Sequence, residues 1–181
     1  MASVDKVYGD ALFTLVTDEA KGSLGEIFEQ LKGVRDIFAD TPELIKLLKA
    51  PTVSDADKRA VIEEAFSGRV HEYLLNFLLV LTENGRADRL GSITEYFTAL
   101  YNDYNGLADV EVVSAAALSD ETVEKIKQKM EQVTGKKVTL QLKTDPSIIG
   151  GVMINCGGTR IDGSVRSRLE QLRGEIAGII E

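Results

Sequence analysis

Apolar side chains recur every three or four residues through roughly the first hundred positions, a spacing that predicts a series of amphipathic helices. The first stripe runs through Val4, Val7, Tyr8, Ala11, Leu12, Leu15 and Val16. After an interruption by glycines, a second stripe runs through Ile27, Leu31, Val34 and Phe38. Each stripe covers one face of a helix, so we expect both helices to pack against a shared core.

Start and stop signals divide the next part of the chain into further helices. Thr41 can cap a short third helix that has Pro42 at its first position and ends near Pro51. Ser54 opens a fourth helix, and Gly68 closes it.

The segment 70–81 is apolar on nearly all sides, which predicts a central fifth helix that its neighbours cover. A sixth stripe follows at the same spacing through Leu90, Ile93, Phe97, Leu100, Tyr101 and Tyr104. Residues 1–105 are therefore predicted to form an all-α six-helix bundle.

The pattern changes at Asn105-Gly106, where shorter segments with partial alternation replace the long stripes. The predicted order is strand, helix, strand, strand and helix, at 110–115, 119–135, 138–142, 148–155 and 165–180. Residues 106–181 are therefore predicted to form a second, small α/β domain.

Composition narrows the range of functions. The 181 residues include one His and one Cys, too few for the several ligands of a zinc or iron–sulfur site, so no metal or cofactor is predicted. The net charge of −8 argues against broad contact with nucleic acid. Residues 1–105 hold 11 Lys and Arg against 18 Asp and Glu, so nearly all the excess acid lies there.

The longest apolar stretch, 73–81, has nine residues, whereas a membrane-spanning helix needs about 20. The first residues of the chain lack the basic and apolar regions of a secretory signal. We therefore expect any link to a membrane to run through a partner.

Three weak signals of chemistry each have a simpler interpretation. Gly150-Gly151 and Gly157-Gly158 bracket a strand, but no Gly-Lys-Ser/Thr sequence follows, so we expect them to shape turns and not a phosphate loop. His71 is expected at a helix terminus and not as a general base. Cys156, without a second thiol, is expected to be a small buried apolar residue.

Arginines cluster near the predicted last helix, at Arg160, Arg166, Arg168 and Arg173. Such a cluster can form an anion site or a partner site, whereas the interleaved Asp162, Glu170 and Glu175 favour a solvated, ion-paired face. No triad or paired-carboxylate cleft emerges, so no catalytic residue is predicted. The two parts of the chain indicate an interaction protein.

Ordered motifs along the whole chain resemble the δ subunit of bacterial F-type ATP synthase, a family related to the mitochondrial oligomycin-sensitivity conferral protein. The most specific lie in the second half and are the segments 112–119, VVSAAALS, 145–154, DPSIIGGVMI, and 160–165, RIDGSV. In the first half the matches are 8–13, YGDALF, and 82–86, TENGR. Gly9 replaces the alanine usual in the family, which weakens the first helix by up to about 1 kcal/mol.

The resemblance implies a non-catalytic stator subunit of the peripheral stalk, which resists the torque of rotation. It implies that the N-terminal domain binds the N-terminal helix of an α subunit in a groove between the first and fifth helices. The C-terminal domain is then expected to bind the ends of the b subunits. The implied location is the cytoplasmic face of the bacterial inner membrane, with membrane contact only through the complex.

Eight residues are candidates for the groove: Tyr8, Ala11, Leu12, Leu15, Asn76, Leu79, Val80 and Glu83. Tyr8 is the strongest of them, because a tyrosine presents both an apolar body and a polar tip, while the apolar candidates can equally belong to the bundle core. By resemblance alone, the candidates for contact with b or for shaping the second domain are Gly150, Gly151, Arg160, Asp162, Ser164 and Arg166. Two alternatives stay open: a soluble helical adaptor of another complex, and a small nucleotide- or anion-binding enzyme.

Overall fold

The computed structural model describes residues 4–148, 150–157, 159–165, 167 and 169. The chain divides into two compact units, Met1–Tyr101 and Asn102–Glu181, which we call unit 1 and unit 2. The division falls in the last turn of a helix, just before the change of pattern at Asn105-Gly106.

Helices make up nearly all of unit 1. The described α-helices are α1 (Val4–Glu19), α2 (Leu24–Asp40), α3 (Pro42–Lys49), α4 (Asp55–Phe66), α5 (Glu72–Glu83) and α6 (Leu90–Tyr104). Short 3₁₀ turns at Lys21–Ser23 and Ala87–Arg89 precede α2 and α6. The mostly helical character predicted for this part of the chain is confirmed.

Side-chain caps explain where two of these helices begin. The Ser54 hydroxyl accepts a hydrogen bond from the Asp57 backbone N–H at 3.2 Å, as expected of an N-cap. His71 caps α5 through its Nδ1, which accepts from the Tyr73 N–H at 3.3 Å, so this helix starts two residues later than predicted. The helix-terminal place predicted for His71 is confirmed. The prediction that Thr41 caps α3 is wrong, because its side chain makes no capping bond.

The core of unit 1 lies where the predicted stripes meet. Its side chains with under 2% of their surface exposed include Val16, Ile27, Leu31, Leu74, Leu78, Ile93 and Phe97. Aromatic rings extend this core, with Phe28 stacked on Tyr101 at a centroid distance of 4.0 Å. Burial of these faces fixes α1 and α5 side by side and leaves their outer faces for other contacts.

Unit 2 contains a mixed sheet of four described strands, with α7 (Asp120–Thr134) on one face. The strands are β1 (Leu107–Ser114), β2 (Lys137–Thr144), β3 (Val152–Cys156) and β4 (Thr159–Asp162), in the order β2-β1-β3-β4. β1 and β2 are parallel and joined through α7, whereas β3 is antiparallel to both β1 and β4. The small core of the unit contains Val110, Val112, Met130 and Val138.

The second half differs from the sequence prediction in two places. β3 begins at Val152 and not at 148, because the chain turns at Gly151, whose φ is 87°. A Cβ on Gly151 would lie 2.4 Å from the Gly163 carbonyl oxygen, so the close approach of the two segments requires glycine. The short strand β4 was not predicted. Most of the predicted final helix, and residues 149 and 158, lie outside the described residues.

In the part of the chain that the structure describes, no helix has both the length and the apolar character needed to span a bilayer.

Candidate partner-binding sites

An apolar groove of about 250 Å³ separates α1 from α5 on the surface of unit 1. It is lined by Tyr8, Ala11, Leu12 and Leu15 from α1 and by Tyr73, Asn76, Phe77 and Val80 from α5. On each helix these residues follow the three- and four-residue spacing of one helical face. The groove is therefore built by two matched stripes that face each other.

The groove has a buried floor and exposed rims. Leu12 and Phe77 belong to the hydrophobic core, with 2% and 8% of their surface exposed. Leu15 and Val80 are 40% and 45% exposed, although both are fully apolar. Apolar rims above a closed apolar floor form a surface that gains stability when another apolar face covers it.

Tyr8 is held in place by three contacts. Its ring meets the Phe77 ring edge to face at a centroid distance of 6.3 Å. The Arg86 Nη1 donates a hydrogen bond of 2.9 Å to the Tyr8 hydroxyl, and the guanidinium carbon lies 5.2 Å from the centre of the ring. These contacts order the Tyr8 side chain before any partner arrives.

Six of the eight residues nominated for the groove line it, and two do not. Leu79 is 5% exposed and packs in the core of unit 1. Glu83 forms an ion pair with Arg59 at 3.1 Å. The groove is also lined by Tyr73 and Phe77, which were not among the nominated residues but lie three residues before Asn76 and Val80 and follow from their spacing.

A polar cavity of about 440 Å³ lies in unit 2. Its described lining is Asp145, Ser147, Ile148, Met153, Arg160, Asp162, Ser164 and Ser167. Hydrogen bonds from the hydroxyl and the backbone N–H of Ser147 lower the pKa of Asp145. The corresponding bonds from Ser164, with a smaller effect of the nearby Arg160 charge, lower the pKa of Asp162. Both carboxylates therefore accept hydrogen bonds that stabilise backbone turns.

Of the residues nominated in unit 2, Arg160, Asp162 and Ser164 line this cavity. Gly150 and Gly151 lie beside it and shape the turn, and a Cβ on Gly150 would lie 3.2 Å from Val165 Cγ2. Arg166 lies outside the described residues.

The glycine turns are closed by their own backbone bonds. The Val165 N–H donates to the Gly150 carbonyl at 2.9 Å, and the Gly163 N–H donates to the Val152 carbonyl at 3.0 Å. These bonds join the segment before β3 to the segment after β4, as expected of glycines that serve close backbone approach. Among the described residues, no group of His, Cys, Asp and Glu is able to hold a metal ion.

The family described as "OSCP: ATP synthase delta (OSCP) subunit" matches residues 4–176, almost the whole chain. The chain belongs to this family. An ATP synthase subunit delta from Lachnoclostridium phytofermentans is 36% identical over 171 residues, which are 93% of this chain and 92% of that protein. One from Desulfotalea psychrophila is 34% identical and covers 94% of each chain.

The fold agrees with the family. A chain in the cryo-EM structure of the Toxoplasma gondii mitochondrial ATP synthase hexamer superposes with a TM-score of 0.77 and covers 97% of this chain and 98% of its own length. Its sequence identity is 21%, so this similarity concerns the fold. Delta (OSCP) subunits are structural, non-catalytic subunits of the ATP synthase peripheral stalk. This chain is thus a stator subunit of ATP synthase and a peripheral part of that membrane-associated complex.

Proposed function

We propose that the six helices of unit 1 act as one bundle that binds the N-terminal helix of the ATP synthase α subunit in the α1–α5 groove. Unit 2, with its polar cavity, binds the ends of the b subunits. Together they join the catalytic head to the stalk at the cytoplasmic face of the bacterial inner membrane. The apolar groove with its ordered Tyr8 is the observation that carries this proposal.

The groove fits an amphipathic helix better than an extended chain. A helix presents apolar side chains at three- and four-residue spacing, and the groove offers apolar rims on both sides of a continuous floor. An added strand would need a sheet edge with free backbone groups, whereas the backbone of α1 and α5 is already hydrogen-bonded within each helix.

Tyr8 is the expected centre of the binding energy. Its ring is already fixed against Phe77 and Arg86, so little side-chain entropy is lost when a partner covers it. Tyrosines that are ordered and then fully covered commonly dominate an interface.

The test is titration calorimetry of the full chain with a synthetic peptide of the α-subunit N-terminus, 16 residues long to match α1. Tyr8→Ala is expected to weaken binding about 30-fold, as for an interface hot spot of about 2 kcal/mol. Tyr8→Phe keeps the ring against Phe77, so it is expected to lose much less binding affinity than Tyr8→Ala.

Two exposed leucines provide a matched pair. Leu15 on the groove rim and Leu47 on α3 are 40% and 37% exposed, so both variants remove a similar apolar surface. Leu15→Ala is expected to weaken binding, and Leu47→Ala is expected to leave it unchanged. Equal effects of the two, or full affinity in Tyr8→Ala, contradict the groove assignment.

The b-subunit part of the proposal is tested separately by a pull-down from the native membrane fraction with the tagged chain. Recovery of α together with b is expected. Recovery of α without b would restrict the proposal to unit 1.

A further inference from the structure

The single histidine of the chain, His71, lies at the start of a helix that lines the groove. Its side chain is half-buried, and its Nδ1 accepts a hydrogen bond from the Tyr73 N–H at 3.3 Å. A ring nitrogen that accepts a hydrogen bond carries no proton, so the neutral imidazole is the form that caps α5. Tyr73 lines the groove, and its ring centroid lies 5.2 Å from that of His71. The cap is therefore in direct contact with a wall of the groove.

A second hydrogen bond fixes the backbone of this cap to α2. The His71 N–H donates to the Gln30 Oε1 at 2.7 Å, and the Gln30 Nε2 donates in turn to Glu26 at 2.9 Å. The His71 carbonyl accepts the first backbone bond of α5, from the Leu75 N–H at 3.0 Å. Because both backbone groups of His71 are bonded, a change in the charge of the ring acts first on the cap of the helix.

A proton on Nδ1 removes this cap in two ways. An imidazolium has two N–H donors and no acceptor, so its Nδ1–H would point at the Tyr73 N–H, which is also a donor. An imidazolium also places a positive charge at the positive end of the α5 dipole. Histidine is the side chain whose charge ordinarily changes between pH 5 and 8. Acidification within this range therefore converts a stabilising contact at the start of α5 into a repulsive one.

The charged groups around the cap do not replace it. Those on the neighbouring elements are Asp18 and Glu19 on α1, Lys21 after it, Glu26 on α2, Glu63 and Glu64 on α4, and Arg69 and Glu72 at the start of α5. Among the described residues, none of these groups forms a hydrogen bond or an ion pair with the imidazole. The acidic groups are mostly exposed, so their attraction for an imidazolium is weak.

We propose that His71 makes the α1–α5 groove sensitive to pH, because its protonation releases the first turn of α5 and lowers the affinity of the groove for its partner helix. At neutral pH the cap orders Tyr73 as a wall of the groove. At lower pH the partner has to order this turn when it binds, and affinity falls with the fraction of chains in which the turn is already formed. This inference rests on the proposed function and adds a regulation of the same site.

The test compares the wild-type full chain with His71→Ser at about pH 7.5 and about pH 5.5, which lie on either side of the ordinary titration of histidine. Serine caps a helix without titrating, as Ser54 does at the start of α4. Calorimetry with the α-subunit peptide measures affinity, and circular dichroism checks folding. Any titration of the peptide itself affects both proteins equally, so the ratio of their affinities isolates His71.

Between the higher and the lower pH, the wild type is expected to lose about threefold more affinity than His71→Ser, within the roughly fivefold effect that one helix cap can supply. His71→Asn, a second cap that does not titrate, is expected to behave like His71→Ser.

Hydrogen exchange of the Tyr73 amide, measured by NMR and corrected for intrinsic exchange, reports on the cap itself. It is expected to become about threefold faster at the lower pH in the wild type and to stay constant in His71→Ser. The Asp57 amide, which Ser54 caps, is the internal control and is expected to stay constant in both proteins.

An equal loss of affinity in the wild type and in both variants overturns the inference while leaving the groove as the binding site. Faster exchange of the Tyr73 amide without a change in the affinity ratio also overturns it, because the cap then opens without affecting the groove. Absence of peptide binding at both pH values instead contradicts the proposed function.

Discussion

At the scale of single residues, Gly9 shows how one missing side chain positions an aromatic ring. A Cβ on Gly9 would lie 2.5 Å from Tyr96 Cδ1, so the ring of Tyr96 occupies the space that an alanine would need. The Tyr96 hydroxyl donates to Asp10 at 2.9 Å, and this bond raises the pKa of Tyr96. The Lys6 ammonium lies 5.9 Å from the centre of the ring. The glycine therefore allows close packing of α1 and α6.

Gly9→Ala is expected to lower the free energy of unfolding by up to about 2 kcal/mol. Overpacking against the Tyr96 ring costs about 1–3 kcal/mol, which outweighs the gain of about 1 kcal/mol in helix propensity. In a Tyr96→Ala background the obstructing ring is gone, and the same substitution is expected to stabilise the protein. Urea unfolding followed by helical circular dichroism measures both. A cost that is the same in the two backgrounds would contradict the role given to Tyr96.

At the scale of elements, Glu111 connects three strands on the face of the sheet opposite the core. Its carboxylate pairs with Lys143 of β2 and accepts a 2.7 Å hydrogen bond from the Asn155 side chain of β3. The bond from Lys143, and then that from Asn155, lowers the pKa of Glu111 below its ordinary value of 4.5. The contribution of this carboxylate to stability is therefore present above pH 4.5 and is lost as pH falls through the lowered pKa.

Glu111→Gln is expected to reduce the acid sensitivity of the sheet, because a neutral side chain has no proton to gain. Hydrogen exchange of the β1 and β3 amides in the full chain, at pH values on both sides of 4.5, measures this after correction for intrinsic exchange. Glu124→Gln, on the exposed face of α7, is the control. It is expected to keep the wild-type dependence of amide exchange on pH. The same increase in amide exchange at low pH in wild type and in Glu111→Gln would contradict the prediction.

The helices were predictable because their apolar stripes are long and their starts carry chemical signals such as Ser54. Strand β4 was not predictable from the sequence, because all four of its residues are exposed and form no apolar pattern. Its stability comes from backbone pairing with β3. The start of β3 was misplaced because the apolar residues before it include Ile148, which is buried in a turn and not in a strand.

The groove was predictable in part for the same reason. On α1 a single stripe contains all four lining residues. On α5 nearly every face is apolar, so periodicity alone did not separate Val80 at the rim from Leu79 in the core. Only the packing of the neighbouring helices makes that distinction.

At the scale of the whole molecule, each unit has a hydrophobic core of its own. The core residues of unit 1 all precede Asn102, and those of unit 2 all follow it. The groove lies wholly within unit 1. Each unit therefore contains the contacts that its own fold requires.

A fragment of residues 1–104, which keeps the whole of α6, is expected to fold and to bind the α-subunit peptide with the affinity of the full chain. Circular dichroism checks folding, and calorimetry checks binding. A folded fragment that binds more weakly would show that unit 2 contributes to the α-subunit site.

The strand order also determines how mechanical load enters unit 2. The chain leaves α6 and passes directly into β1, the strand that pairs with β2 along all eight of its residues and with β3 along five. A pull from unit 1 along β1 therefore shears many backbone bonds on both sides of an interior strand at once. An edge strand such as β4 could instead be peeled away one bond after another. In a subunit that resists torque, the connection between units thus enters the sheet at the strand that is hardest to extract.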